Sequence, residues 1–236
     1  MREFGTNANA RLPVLFLLDA SSSMTGIVRG DNQHILRQEH SDGINWNIVT
    51  GDNIVTRMDE LNVGLQRFVS DILADPLAKL AADVAVMTFA RTVATVKEFG
   101  PIRESDTGLK ISTSQENETL LGEAVELALA ELDSRKRTYR EHGVEYYQPW
   151  LVVMTDGVPT SARHRELEGR LKALTAARKL SVFAFGIGRA DLSELCSISP
   201  GRPPMQINDQ KFPELFVWLS RSVRTVSMSV PRDGVS

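Results

Sequence analysis

The chain has 236 residues, a formal net charge of -3 and 42% hydrophobic side chains. That is enough apolar material for one large α/β domain or two small ones, and the acidic balance excludes the basic footprint of a nucleic-acid binder. Cys196 is the single cysteine, so no internal disulfide can form, which fits a reducing cytoplasm.

No apolar stretch approaches the ~20 residues of a membrane-spanning helix. Met1 to Ala10 is polar, lacks the apolar core of a signal peptide, and reads as a frayed tail. Residues 11–230 read as one domain. Its first element is the continuous apolar run Leu12 to Leu18, the pattern of a strand buried on both faces. Thr25 to Thr56 follows, polar and far longer than the usual ~2–6 residue connection between strand and helix. Within it Asn47-Ile-Val-Thr50 and Asn53-Ile-Val-Thr56 flank Gly51-Asp52, which predicts a small β-hairpin turning at that pair. The excursion reads either as a surface feature without a role or as a lid or partner-contact element.

Met58 to Leu73 has Leu61, Leu65, Phe68, Val69 and Ile72 at helical steps, and Asp75-Pro76 ends it. Val84 to Ala90 predicts a strand. Thr92 to Phe99 predicts its antiparallel neighbour, joined by a tight turn near Ala90-Arg91. Glu118 to Leu132 predicts a helix, Trp150 to Thr155 a central strand, Ala162 to Lys179 a helix, and Leu180 to Ile187 a buried strand. Asp191 to Ile198 reads as a short helix, Met205 to Ile207 as an edge strand, and Phe212 to Val226 as the last helix. The alternation predicts a doubly wound α/β fold: a mostly parallel sheet with one antiparallel edge strand and helices on both faces.

In such sheets ligands sit beyond the carboxyl ends of the strands. Asp19, Ser21 and Ser23 follow the first strand, Thr119 opens a helix, and Asp156 ends the central strand. Two carboxylates and three hydroxyls then share one edge. Hard oxygen donors on rigid backbone suit a small divalent cation such as Mg²⁺, with Mn²⁺ or Ca²⁺ as substitutes. Neutral hydroxyls bound directly, with the acids holding waters behind them, would leave the cation able to take one more carboxylate from a partner protein.

Asp19-Ala-Ser-Ser-Ser-Met24, Glu118-Thr119-Leu-Leu-Gly122 and Leu151-Val-Val-Met-Thr-Asp-Gly-Val-Pro-Thr160 resemble the three pieces of the metal-ion-dependent adhesion site (MIDAS) of von Willebrand factor type A (VWA) domains. The resemblance implies that Ser21, Ser23 and Thr119 touch the metal and that Asp19 and Asp156 act largely through water. Arg11-Leu-Pro-Val14, Leu61-Asn-Val-Gly-Leu65 and the segment Phe212 to Ser229 are similar to the bacterial TerY type associated with tellurite resistance. That likeness implies a cytoplasmic adaptor or scaffold, monomeric alone, in a stress-resistance or phospho-signalling system with a protein kinase and a PP2C-like phosphatase as partners. Two substitutions depart from the family. Ser22 stands where it usually has Gly, and Asn117-Glu-Thr119 replaces Gly-Gly-Thr, so Glu118 adds a carboxylate behind the site, favours a different metal, or faces solvent. Asp31, Glu39 or Asp42 of the long excursion could fill the open metal position from within the chain.

Two other functions compete. One is Mg²⁺-dependent phosphoryl transfer with Asp19 as nucleophile, for which no loop of the site offers a clear phosphate-holding lysine. The other is a structural module without metal. The remaining features read blandly. His34, His40, His142 and His164 lack the close pairing of a zinc site and read as surface residues. Arg135-Lys-Arg137 and Arg163-His-Arg165 read as solvated helix faces. Cys196 reads as a packed thiol, Trp150 and Trp218 as core, and Tyr139 to Tyr147 as an exposed loop. Trp46, an indole in a polar loop, calls for cover from the domain or a partner. Gly186-Ile-Gly188 lacks the spacing of a dinucleotide-binding turn.

Overall fold

The computed structural model describes residues 9–41, 44–157, 159–188, 190–208 and 211–229, without the side chains of 39, 41 and 44–46. The expected N-terminal tail therefore lies almost wholly outside the described residues, as does the side chain of Trp46.

Strand β1 (Leu12–Asp19) is buried along its whole length. Side chains alternate across a strand, and here both faces are covered. Val14, Phe16 and Leu18 belong to one apolar cluster, Leu15 and Leu17 to another. A 3₁₀ turn over Ser22–Thr25 leads into β2 (Ile27–Ser41) and β3 (Ile44–Thr56), which among the described residues pair only with each other. The excursion is thus a hairpin, but longer than expected and turned elsewhere. Ser41 pairs with Ile44, and both copies of Asn-Ile-Val-Thr lie in β3. Asp42 and Gly43, which separate those two residues in the sequence, lie outside the described residues.

Helix α1 (Arg57–Ala74) starts in a capping box. The Asp59 carboxylate accepts from the Thr56 amide at 2.9 Å, and the Asp59 amide donates to the Thr56 hydroxyl at 3.2 Å. Asp75 then caps α2 (Pro76–Ala81), a short helix that the sequence reading passed over. Strands β4 (Ala82–Phe89) and β5 (Val93–Pro101) form the expected antiparallel pair.

Helix α3 (Leu121–Glu141) runs nine residues past the predicted end. It takes in Tyr139, which is fully buried, and Tyr147 beyond it is 8% exposed, so neither belongs to an exposed loop. The Tyr147 hydroxyl donates to the Ser229 carbonyl at 3.0 Å and holds the C-terminal segment. Strand β6 (Trp150–Thr155) follows. The single helix expected over Ala162 to Lys179 is divided at Leu167 into α4 (Arg163–Glu166) and α5 (Glu168–Ala176). Arg178, at a left-handed φ of 55°, stops the second piece early. Next come β7 (Ser181–Ile187), α6 (Leu192–Cys196), β8 (Met205–Ile207) and α7 (Phe212–Ser227).

The main sheet has six strands in the order β5-β4-β1-β6-β7-β8, all parallel except β5. Helices α1 and α7 cover one face, and α3, α5 and α6 the other. This is the mixed, mostly parallel, doubly wound architecture expected from the strand–helix alternation.

The α1–α7 seam is close at Gly64. Alanine is ordinarily better than glycine in a helix by about 1 kcal/mol. A Cβ on Gly64, however, would stand 2.3 Å from Phe216 Cδ2, and that ring is itself packed against Phe16 and Phe68. Gly64→Ala is therefore expected to destabilise the protein by about 1–3 kcal/mol. Urea unfolding measures this, and an unchanged or higher midpoint would contradict the crowding.

Four expectations for single residues are overturned. His164 is 2% exposed, with Nδ1 2.8 Å from the Ser161 carbonyl and Nε2 2.8 Å from Glu194 Oε2; its short helix packs against α3. Trp218 is 44% exposed, although its ring meets that of Phe183 edge-on at 5.8 Å. Cys196 is exposed rather than packed. Arg135 is 9% exposed and bound to Asp83, so the Arg135-Lys-Arg137 run is not uniformly solvated.

Candidate metal centre

Backbone pairing brings the acid and hydroxyl segments together. Leu18 pairs with Met154 across β1 and β6, so the next residues, Asp19 and Thr155, stand side by side at the strand ends. The Thr155 hydroxyl donates to Asp19 Oδ2, and the Ser21 amide donates to Asp19 Oδ1 at 2.8 Å. Ser21 Oγ and Ser23 Oγ lie 2.9 Å apart, and Ser23 Oγ donates to Asp156 Oδ1 at 2.6 Å. Asp19, Ser21, Ser23 and Asp156 are thereby linked in one chain of polar contacts.

Thr119 arrives from the loop before α3. Its carbonyl accepts from the Thr160 amide at 3.1 Å and its amide donates to the Thr160 hydroxyl at 3.2 Å. These bonds tie the third segment to the loop after Asp156. Gly157 reports the convergence most directly. A Cβ there would stand 3.1 Å from Thr119 Oγ1 and 3.6 Å from Asp19 Oδ2. All five residues singled out in the sequence therefore meet at one end of the sheet. Asp19, Ser21 and Thr119 are at most 3% exposed.

The departures from the family pattern cause no backbone strain. Among the described residues only Asn32, Asn53 and Arg178 are non-glycine residues with positive φ, so neither Ser22 nor Glu118 is forced into the left-handed region. Ser22 is built into the loop, its amide donating to the Glu116 carbonyl at 3.0 Å and its hydroxyl to Asn117 Oδ1. Glu118 is exposed and lies 3.7 Å from Arg91. The acids of the excursion do not enter the site where they are described. Asp31 is exposed and accepts from Asn53 Nδ2 at 3.1 Å. Asp42 and the Glu39 side chain lie outside the described residues.

Two groups of the site escaped the sequence reading. Thr155 was visible as the residue before Asp156, but nothing in its type announced the bond to Asp19. Arg57 Nη1 stands 2.9 Å from Asp156 Oδ2. It opens α1, directly after the hairpin.

Burial, and then the charge of Asp156, push the Asp19 carboxyl up to about 6. Burial also raises Asp156, against the opposing pull of Ser23 and Arg57. For Asp19 the sign follows from linkage. Its folded-state value lies above the 3.8 of the free group. Its stabilising contribution is full below that value and is lost as pH rises through about 6. In chelator, the stability of Asp19→Asn relative to the parent should therefore rise between pH 4 and pH 7. Denaturant midpoints across that range check it, and a flat difference would contradict the burial of the charge.

Both Asp19 oxygens accept hydrogen bonds and the residue is fully buried, which suits a positioned acid better than an attacking nucleophile. Among the described residues no three His, Cys, Asp or Glu side chains cluster as a metal site. The donor set at the sheet edge owes its number to hydroxyls.

A doubly wound sheet with such a donor set at its strand ends is the arrangement in which an α/β domain takes a ligand. A family model for the von Willebrand factor type A domain matches residues 52–216, and the chain belongs to that family. The matched region begins inside β3, so the Asp19 loop precedes it and most of the hairpin lies between the two.

Solved structures agree on the fold. BatB from Bacteroides thetaiotaomicron is 16% identical with a TM-score of 0.60, covering 92% of this chain and 100% of its own. The vWF domain of the type V pili tip protein Mfa5 from Porphyromonas gingivalis is 8% identical with a TM-score of 0.59, covering 96% and 99%. Proximal thread matrix protein 1 from the mussel byssus is 18% identical with a TM-score of 0.59, covering 96% of this chain but 49% of that one. This chain thus spans about half of the mussel protein, a further structure of which has a zinc-occupied MIDAS motif. No curated protein matches the sequence. VWA domains are in general interaction modules rather than enzymes, and their MIDAS binds divalent metals.

Proposed function

We propose that this chain is a metal-dependent protein-recognition module. Ser21, Ser23 and Thr119 would hold a divalent cation directly, with Asp19 and Asp156 balancing its charge largely through water. The observation that carries this reading is the cradle at Gly157, where a side chain would fill the space beside Thr119 Oγ1 and Asp19 Oδ2. An all-oxygen donor set favours Mg²⁺, with Mn²⁺ or Ca²⁺ as substitutes. When bound, the cation supplies an electron-poor centre for one further carboxylate, an Asp or Glu of a partner protein. The hydroxyls of this chain orient that centre outward, and its buried acids stay behind it.

The TerY-like segments Arg11-Leu-Pro-Val14 and Leu61-Asn-Val-Gly-Leu65 support a finer placing: a bacterial, cytoplasmic adaptor over residues 11–230, monomeric alone, beside a protein kinase and a PP2C-like phosphatase. The lone cysteine is consistent with that compartment. Among the described residues no helix is long and apolar enough to cross a membrane. Thermal unfolding in millimolar Mg²⁺, Mn²⁺ and Ca²⁺ against chelator tests the metal reading. At least one cation should raise the midpoint, since a ligand confined to the folded state must stabilise it. No rise with any of them would favour the metal-free structural module.

A further inference from the structure

Arg57 is the first residue of α1, where the hairpin rejoins the sheet domain. Its amide donates to the Gly26 carbonyl at 2.9 Å, which fixes its backbone beside the loop carrying Ser21 and Ser23. From there its side chain turns into the candidate metal centre. Nη1 lies 2.9 Å from Asp156 Oδ2 and 3.3 Å from the Ser23 carbonyl. The Asp156 side chain is 0% exposed and that of Arg57 22%, so this is a charge-assisted contact at the mouth of the site rather than a surface pair. Gly26 makes room for it, since a Cβ there would stand 2.8 Å from Nη1.

We propose that Arg57 is a built-in competitor for the metal: its guanidinium neutralises Asp156 when no cation is present and must leave it for a divalent cation to be held tightly. Asp156 is buried, so an unpaired charge there is unfavourable, and Asp19 close by adds repulsion. One positive group relieves both. A divalent ion among the same oxygens meets that fixed charge at short range, where like charges repel strongly. The chain thereby sets its own metal affinity low and ties occupancy of the site to the residue that joins hairpin to helix. This inference rests on the metal-site reading above.

Two variants test it, with Mg²⁺ and Mn²⁺ as probes, by calorimetric titration and by thermal unfolding with and without chelator. Arg57→Gln removes the charge. Gly26→Ala keeps the charge but crowds the guanidinium off Asp156, at a position whose φ of -51° and ψ of 130° alanine adopts freely. Metal affinity is expected to rise about 10-fold in Arg57→Gln, equivalent to about 1.4 kcal/mol, and several-fold in Gly26→Ala. The metal-free melting temperature should fall in both, a readout independent of metal binding. A gain in either variant, or a metal response in a variant where the parent has none, supports the proposal. Parental metal binding left unchanged or weakened in both variants overturns it while the metal reading stands. No metal response in parent or variants overturns both.

Discussion

Replacing Asp19 with asparagine is expected to abolish the stabilisation that a divalent cation gives the parent protein. The parental gain is about 2.7 kcal/mol at a cation concentration one hundred times Kd, or roughly 5–10 °C in melting temperature for a domain of this size. Asparagine is the informative change because it keeps the shape of the site. Its carbonyl can accept from the Ser21 amide, and its amide can donate to the Thr155 hydroxyl, where the parent has the reverse polarity. What it removes is the negative charge that a cation among neutral hydroxyls requires. In chelator the variant should unfold cooperatively at or above the parental midpoint, since a buried charge has gone. A variant that still gains as much from metal as the parent would show that Asp19 takes no part in binding.

The second large effect lies toward the opposite end of the sheet, where Asp83 pairs with Pro13 near the start of β1. Arg135 is expected to lose about 3–5 kcal/mol of stability for the protein when changed to methionine. Its Nε and Nη2 donate to Asp83 Oδ2 at 2.8 and 2.6 Å, and the buried Tyr139 hydroxyl donates to the same oxygen. Asp83 is 1% exposed and its Oδ1 has no hydrogen-bond partner among the described residues, so losing the arginine leaves a buried carboxylate inadequately paired. Lys97 stands near but donates instead to the carbonyls of Val84, Glu98 and Gly100. Replacing the whole group, Asp83→Leu with Arg135→Met and Tyr139→Phe, should recover most of the loss, because apolar neighbours then face one another. Denaturant unfolding of the two variants decides the matter. A loss under about 1 kcal/mol in Arg135→Met would place the pair with the weak surface bridges.

The strands were legible because burial on both faces leaves no polar residue in Leu12 to Leu18 or Trp150 to Met154. Helices α1 and α7 were legible from their apolar stripes. The hairpin was misread in its turn because the repeated Asn-Ile-Val-Thr drew the register to Gly51-Asp52, while pairing is set by the whole ladder from Ile27–Thr56 to Ser41–Ile44. Arg135 and His164 were misread because charged type predicts exposure until a buried partner is found. Those partners, Asp83 and Glu194, lie 52 and 30 residues away.

By itself the sequence determined the order of strands and helices, and the acid-and-hydroxyl groups Asp19, Ser21, Ser23, Thr119 and Asp156 at the ends of elements, since periodicity and strand termination are local properties. The tertiary structure alone decided that Thr155 braces Asp19 and that Arg57 reaches Asp156 across 99 residues. It also decided that, among the described residues, the long excursion stands as a two-stranded hairpin of its own. These depend on how α1 and the two central strands pack side by side, and the spacing of apolar residues along one segment carries no record of which side chain waits on the next.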